Sequence, residues 1–129
     1  MKNQLLAALV VFTMSACSSD DGAAPTIATL VYSPMTVPSG AQSTISGTFT
    51  FQDKDGDAAQ IGIDVRLPDQ TMQELPLSDL QNVGEMTSGT INFAVIISPP
   101  FAGTYQFEVF IVDDADNESN HLMGSLTAN

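Results

Sequence analysis

In four separate runs between residues 45 and 111, apolar positions recur at every second residue. Ile45, Gly47, Phe49 and Phe51 alternate with Ser46, Thr48 and Thr50, and Ile61, Ile63, Val65 and Leu67 alternate with Gly62, Asp64 and Arg66. Ile91, Phe93, Val95 and Ile97 form a third run, and Tyr105, Phe107, Val109 and Ile111 a fourth. A period of two turns one face of a strand to a core and the other to water. Leu122 and Leu126 mark a last strand. Leu30 to Val37 reads as a first, broken at Pro34, which suits an edge strand where a missing N–H costs no ladder bond. Pro68-Asp69-Gln70 is a turn, with proline preset for its first corner. Met72 to Leu77 reads as a short edge strand carrying Pro76, and residues 78–88 have no assignable period. Beyond residue 25 no stretch has a helical period. About seven short strands separated by turns predict an all-β fold, an antiparallel β-sandwich over residues 26–129.

The first 25 residues follow a different pattern. Lys2 supplies a positive start, and Leu5 to Met14 is apolar apart from Thr13. That run has the length of a signal-peptide core and is about half of what a membrane-spanning helix needs. Met14-Ser15-Ala16-Cys17 follows, and Cys17 is the sole cysteine. This resembles the lipobox of bacterial lipoproteins, with Met14 where leucine is usual. The resemblance implies a signal peptide at 1–16, cleavage before Cys17 and acyl chains on that residue. Several chains together anchor durably where one alone is marginal. Ser18, rather than aspartate, after the cysteine implies sorting to the outer membrane in a host that has one. Residues 17–25 are then a lipidated flexible tether of small, polar and acidic residues.

Charge narrows the partners. The chain carries 15 acidic residues against three basic ones, for a formal net charge of −12. Loss of the leader removes Lys2 and leaves Lys54 and Arg66 as the only cations. Such a surface lacks the lysines and arginines that displace counterions from phosphate backbones, so nucleic acid is excluded as a partner. With Cys17 acylated no disulfide can form, and stability must come from the core or from bound ions.

Pro99-Pro100-Phe101-Ala102-Gly103-Thr104-Tyr105-Gln106-Phe107 carries a second resemblance. A Gly-x-Tyr running from a turn into a strand is similar to the tyrosine corner of immunoglobulin-like sandwiches, whose hydroxyl bonds back to the chain a few residues upstream. The chain lacks tryptophan and the cysteine pair of antibody domains, so it resembles the wider immunoglobulin-like, fibronectin III and cadherin-like group. Tyr105 is then the corner residue. Phe107 takes the place of the second cysteine, with Phe49 or Phe51 facing it.

That topology brings two acidic loops together. If the runs at 43–52, 60–67, 90–97, 104–112 and 120–127 are strands B, C, E, F and G, the B–C and F–G loops share one end. The first loop holds Asp53, Asp55 and Asp57 with Gly56; the second holds Asp113, Asp114, Asp116, Asn117 and Glu118. The tether joins the sandwich at this end, near Thr26. Calcium takes six to eight oxygen ligands, carboxylates mixed with carbonyls. Asp53, Asp55, Asp57, Asp113, Asp114, Asp116 and Asn117 are therefore candidate Ca²⁺ ligands, although the loop does not have the spacing of an EF-hand. The competing reading is structural: Asp, Asn and Gly dominate tight turns because they tolerate left-handed backbone and bond nearby N–H groups.

Catalysis finds little support. The single histidine, His121, falls on the outer face of the last strand, and no strained nucleophile turn accompanies any serine. A zinc site needs several histidine or cysteine ligands. The expectation is a non-catalytic protein of the bacterial cell envelope, held to the membrane by its lipid. Its sandwich serves as an interaction or spacer module for a protein partner. The alternative is a glycan-binding or adhesion module, which usually needs exposed aromatic rings. Phe101 and Phe110 are the candidates, with Val112, Ala94 and Ile96 adding outward apolar surface.

Overall fold

In the computed structural model, residues 23–81, 83 and 85–129 are described. The leader, the lipobox, Cys17 and most of the tether lie outside them. Among the described residues there are nine strands: β1 (Thr26–Ser33), β2 (Thr36–Val37), β3 (Ser43–Gln52), β4 (Ala58–Arg66), β5 (Met72–Glu74), β6 (Ser78–Asp79), β7 (Ser88–Ile97), β8 (Gly103–Asp113) and β9 (Leu122–Ala128). They form two sheets. The smaller has the order β1-β3-β7, and the larger runs β2-β9-β8-β4-β5 with β6 also paired to β4. All pairings are antiparallel except β2 with β9. The fold is an immunoglobulin-like β-sandwich.

The period of two decides which side chains meet between the sheets. Ile27, Phe49, Phe51, Ile91, Phe107, Val109 and Ile111 make one buried cluster; Val37, Ile45, Tyr105, Leu126 and Ala128 make a second beside it. Each fully buried side chain of this size contributes about 1.5–3 kcal/mol. Phe107 takes an aromatic partner other than those its position implied. Its ring meets Tyr32 edge-on, with centroids 4.9 Å apart, while Phe49 leans on Phe93 at 5.9 Å. Tyr32 reaches across from β1, and its hydroxyl donates to the Ser125 carbonyl at 2.8 Å.

Three strand glycines each face a phenylalanine on the neighbouring strand: Gly47 opposite Phe93, Gly62 opposite Phe110 and Gly124 opposite Phe107. In every pair the ring lies over the glycine, so that a Cβ there would stand 2.3–2.6 Å from it. This close approach lets three large rings lie flat on the sheets instead of standing away from them.

The first strand differs from its sequence reading. It begins at Thr26 and stays in the smaller sheet to Ser33, with a bulge between Ala28 and Val31. Beyond Pro34 the chain changes sheets, and β2 pairs with β9. Proline suits that crossing because no ladder bond is required of it. The last strand starts two residues later than the apolar pattern placed it, and His121 precedes it.

A candidate cation site at the acidic end

The loops β3–β4 and β8–β9 meet at one end of the sandwich. Ala58 pairs with Asp113, and the Asp114 N–H donates to the Asp57 carbonyl at 3.0 Å. Thr26 pairs with Gln52, next to Asp53, so the chain joins the sandwich at this same end. Asn120 holds that junction: its Oδ1 accepts the Ile27 N–H at 2.8 Å, and its Nδ2 donates to the Ile27 carbonyl at 2.9 Å.

Asp53 is buried at the end of β3 and organises the first loop. Its Oδ1 accepts the Asp55 N–H at 3.2 Å and its Oδ2 the Asp57 N–H at 2.9 Å. Gly56 completes the turn with φ of 64°, in the left-handed region that favours glycine. This curl brings one carboxylate oxygen from each of Asp53, Asp55 and Asp57 within 4.8 Å of the others. Asp57 Oδ1 is buried and has no hydrogen-bond partner. Partial burial, a hydrogen bond with the Asp53 carboxyl and the charges of Asp53, Asp113 and Asp55 push the Asp57 pKa up to about 6. A cation in the cluster would relieve the same repulsion.

The second loop contributes less to this cluster than its composition implied. Asp113 is buried, and its carboxylate caps its own loop. Oδ1 accepts the N–H groups of Ala115 and Asn117 at 2.9 and 2.8 Å, and Oδ2 accepts from the Asn117 side-chain amide at 3.1 Å. Asn117 thereby serves Asp113. Asp114 and Asp116 are exposed. The compact oxygen cluster is therefore Asp53, Asp55 and Asp57, with Asp113 close enough to raise the Asp57 pKa.

The remaining candidates fall elsewhere. Tyr105 is buried with its hydroxyl donating to the Phe101 carbonyl at 2.7 Å. Phe110 and Val112 are covered, contrary to the sequence reading of an outward apolar patch: Phe110 is only 7 % exposed. Its ring lies close over Gly62 and stacks on the His121 imidazole at 4.4 Å. Phe101 stays 40 % exposed and Ile96 63 %.

His121 bonds Glu108 through Nδ1 at 2.8 Å and Glu118 through Nε2 at 3.1 Å. Burial alone would lower its pKa, but these carboxylates outweigh it and hold the imidazole above its ordinary value. Nearby, register places Glu74, Asp64 and Glu108 in a row across β5, β4 and β8. Burial, then the charges of Glu74 and Glu108, raise the Asp64 pKa. The sequence reading missed this row; only cross-strand register shows it, since the three acids are far apart in the chain.

No family model matches the sequence, and no curated protein matches it. Solved structures resemble the fold. A variant of the superoxide reductase (neelaredoxin) of Ignicoccus hospitalis aligns with a TM-score of 0.52 at 6 % identity, over 84 % of this chain and 82 % of that one. The PKD domain of an M14-like peptidase from a Thermoplasmatales archaeon aligns with a TM-score of 0.47 at 19 % identity, over 81 % and 92 %. At these identities the likeness concerns the fold alone, so the chain is placed by its architecture as an immunoglobulin-like sandwich.

Proposed function

We propose that this protein is a non-catalytic, lipid-anchored component of the bacterial cell envelope whose sandwich acts as an interaction or spacer module. A calcium ion braces its acidic end. The observation that carries the brace is the Asp53, Asp55 and Asp57 cluster with the unpartnered, buried Asp57 Oδ1. Hard oxygen donors suit calcium better than a softer ion. Carbonyls and water would complete the shell. Because the chain joins the sandwich beside Asp53, an ion here would also stiffen the junction between domain and tether.

The anchor rests on the lipobox resemblance around Cys17, and it is tested by changing that residue. In cells labelled with a radioactive fatty acid, the parent chain should take up label and sediment with membranes. Cys17→Ala should do neither and should accumulate as a folded protein; persistent membrane association of that variant would contradict the anchor. The glycan-binding alternative retains one exposed ring, Phe101, because Phe110 is stacked on His121. Binding on a glycan array that Phe101→Ala abolishes would favour it.

A further inference from the structure

Among the described residues no second strand pairs with the outer edge of β7, which borders a cleft whose far wall includes Leu75, Ser78 and Leu80. Natural edge strands are usually short, bulged, or guarded by proline or charge, because their free N–H and C=O groups otherwise recruit another strand. The edges at β1 and at β5 and β6 have such devices. β1 carries a bulge, with Thr29 at φ of 60°. On the far side of the larger sheet β5 and β6 are three and two residues long, contain Glu74 and Asp79, and flank Pro76. β7 is ten residues of Ser-Gly-Thr-Ile-Asn-Phe-Ala-Val-Ile-Ile, without charge or proline and paired in unbroken register with β3 alone. Among the described residues no further backbone hydrogen bond reaches it.

The short strands that follow β4, β5 and β6, pair in the larger sheet, which leaves the smaller sheet with three strands and β7 at its edge. Constant-type immunoglobulin sandwiches have four strands in the sheet that here has three. The side chains that β7 turns inward at Phe93, Val95 and Ile97 are only half-buried. They line an apolar slot of about 360 Å³ with Val65, Leu67 and Leu75 from the facing sheet. A strand added to β7 would extend the smaller sheet over that slot.

Charge indicates which strand. Residues 26–52 and 86–107 contain no Asp, Glu, Lys, Arg or His, so the whole smaller sheet is uncharged in a protein of net charge −12. Two copies of so acidic a domain repel wherever acids oppose, and like charges directly across a strand pair are destabilising. β7 itself brings no acid to a pairing and, of the acids, only Asp79 lines the cleft beside it, so two copies meet here with less repulsion than at the acidic end, and an antiparallel pairing of one strand with itself is self-complementary about a two-fold axis.

We infer that β7 pairs antiparallel with β7 of a second copy, joining the two smaller sheets into one six-stranded sheet. The inference is independent of the cation site. A strand of ten residues is roughly 33 Å long. A contact strip about 10 Å wide along it covers less than half of the ~800 Å² per partner of a standard interface, so the pair is reversible.

The test uses the full chain in its own membranes, with single cysteines introduced at four exposed β7 positions: Thr90→Cys, Asn92→Cys, Ala94→Cys and Ile96→Cys. Ser46→Cys, in register with Ala94 on the central strand β3, is the control, and the parent chain with Cys17 alone sets the background. After mild oxidation, the β7 position nearest the two-fold axis should give a band of twice the chain mass, at least fivefold above background. Ser46→Cys should stay at background. A charge beside the cross-linking residue, as Asn92→Lys or Ala94→Lys, should remove most of the band. No β7 variant rising above background would overturn the pairing. So would equal cross-linking by Ser46→Cys, or an adduct with a protein of another mass.

Discussion

Asp53 and Asp57 stand in an unequal relationship: Asp53 Oδ2 accepts the Asp57 N–H at 2.9 Å, while Asp57 Oδ1 is buried without a partner. One carboxylate is satisfied by the loop it builds, and the loop then carries the other into a site where it repels its neighbours. A loop needing only turn stabilisation would be complete with Asp53 and Gly56. Asp57 adds repulsion among neighbouring carboxylates, which a bound cation would relieve. The other buried acid of this end, Asp113, shows the contrasting case of a carboxylate fully used by its own loop.

Asp113→Ala should therefore destabilise the domain with or without metal, by about 2–3 kcal/mol, through loss of three charge-assisted hydrogen bonds in a buried loop. Chemical denaturation of parent and variant in chelator measures this. An unchanged midpoint would mean that the β8–β9 loop is held by something other than the Asp113 carboxylate.

Tyr105→Phe keeps the buried ring and removes the hydroxyl that donates to the Phe101 carbonyl. The expected loss is about 1 kcal/mol, with the strands intact by circular dichroism. Because the Phe101 turn lies at the opposite end from the acidic loops, metal response should be unaffected.

Gly47→Ala should be more damaging than its size suggests. A Cβ at Gly47 would stand 2.6 Å from both the Phe93 ring and the Val31 carbonyl. The ring can turn aside; the backbone carbonyl beside the β1 bulge has less freedom. Overpacking of this kind costs about 1–3 kcal/mol, readable as a lowered melting temperature.

The period-two runs made the core strands legible in advance, because one buried face forces alternation in β3, β4, β7 and β8. Strand topology then brought the two acidic loops to one end. Three things were hidden. The Gly–Phe pairs depend on which residue stands opposite which, so Phe110 reads as exposed in sequence although Gly62 and His121 cover it. The Glu74, Asp64 and Glu108 row depends on register in the same way. The separate duties of Asp53, Asp57 and Asp113 follow from local loop geometry, which composition does not encode.

In the absence of metal, stability should rise as pH falls from 7.5 to about 5.5. Asp57 and Asp64 have folded pKa values above their ordinary range, so each carries a charging penalty at neutral pH. For Asp57 it is relieved as pH drops through about 6. His121 acts in the same direction. Its raised pKa gives stability that is present below its unfolded value of about 6.5 and lost as pH climbs through the folded one. Melting curves in chelator at pH 7.5, 6.5 and 5.5 should show rising midpoints; a falling series would contradict these assignments.

The most direct measurement of the central claim is the melting temperature at pH 7.5 in excess chelator and in excess calcium, for the parent chain and for Asp57→Asn. The parent should melt several degrees higher with calcium, since a ligand bound only to the folded state stabilises it by about 2.7 kcal/mol at a hundredfold excess over Kd. Asp57→Asn should melt above the parent in chelator, by about 1 kcal/mol once solvent screening is allowed for, and should show no calcium response. Identical parent curves in chelator and calcium, with Asp57→Asn no more stable than the parent, would contradict a cation brace at this end.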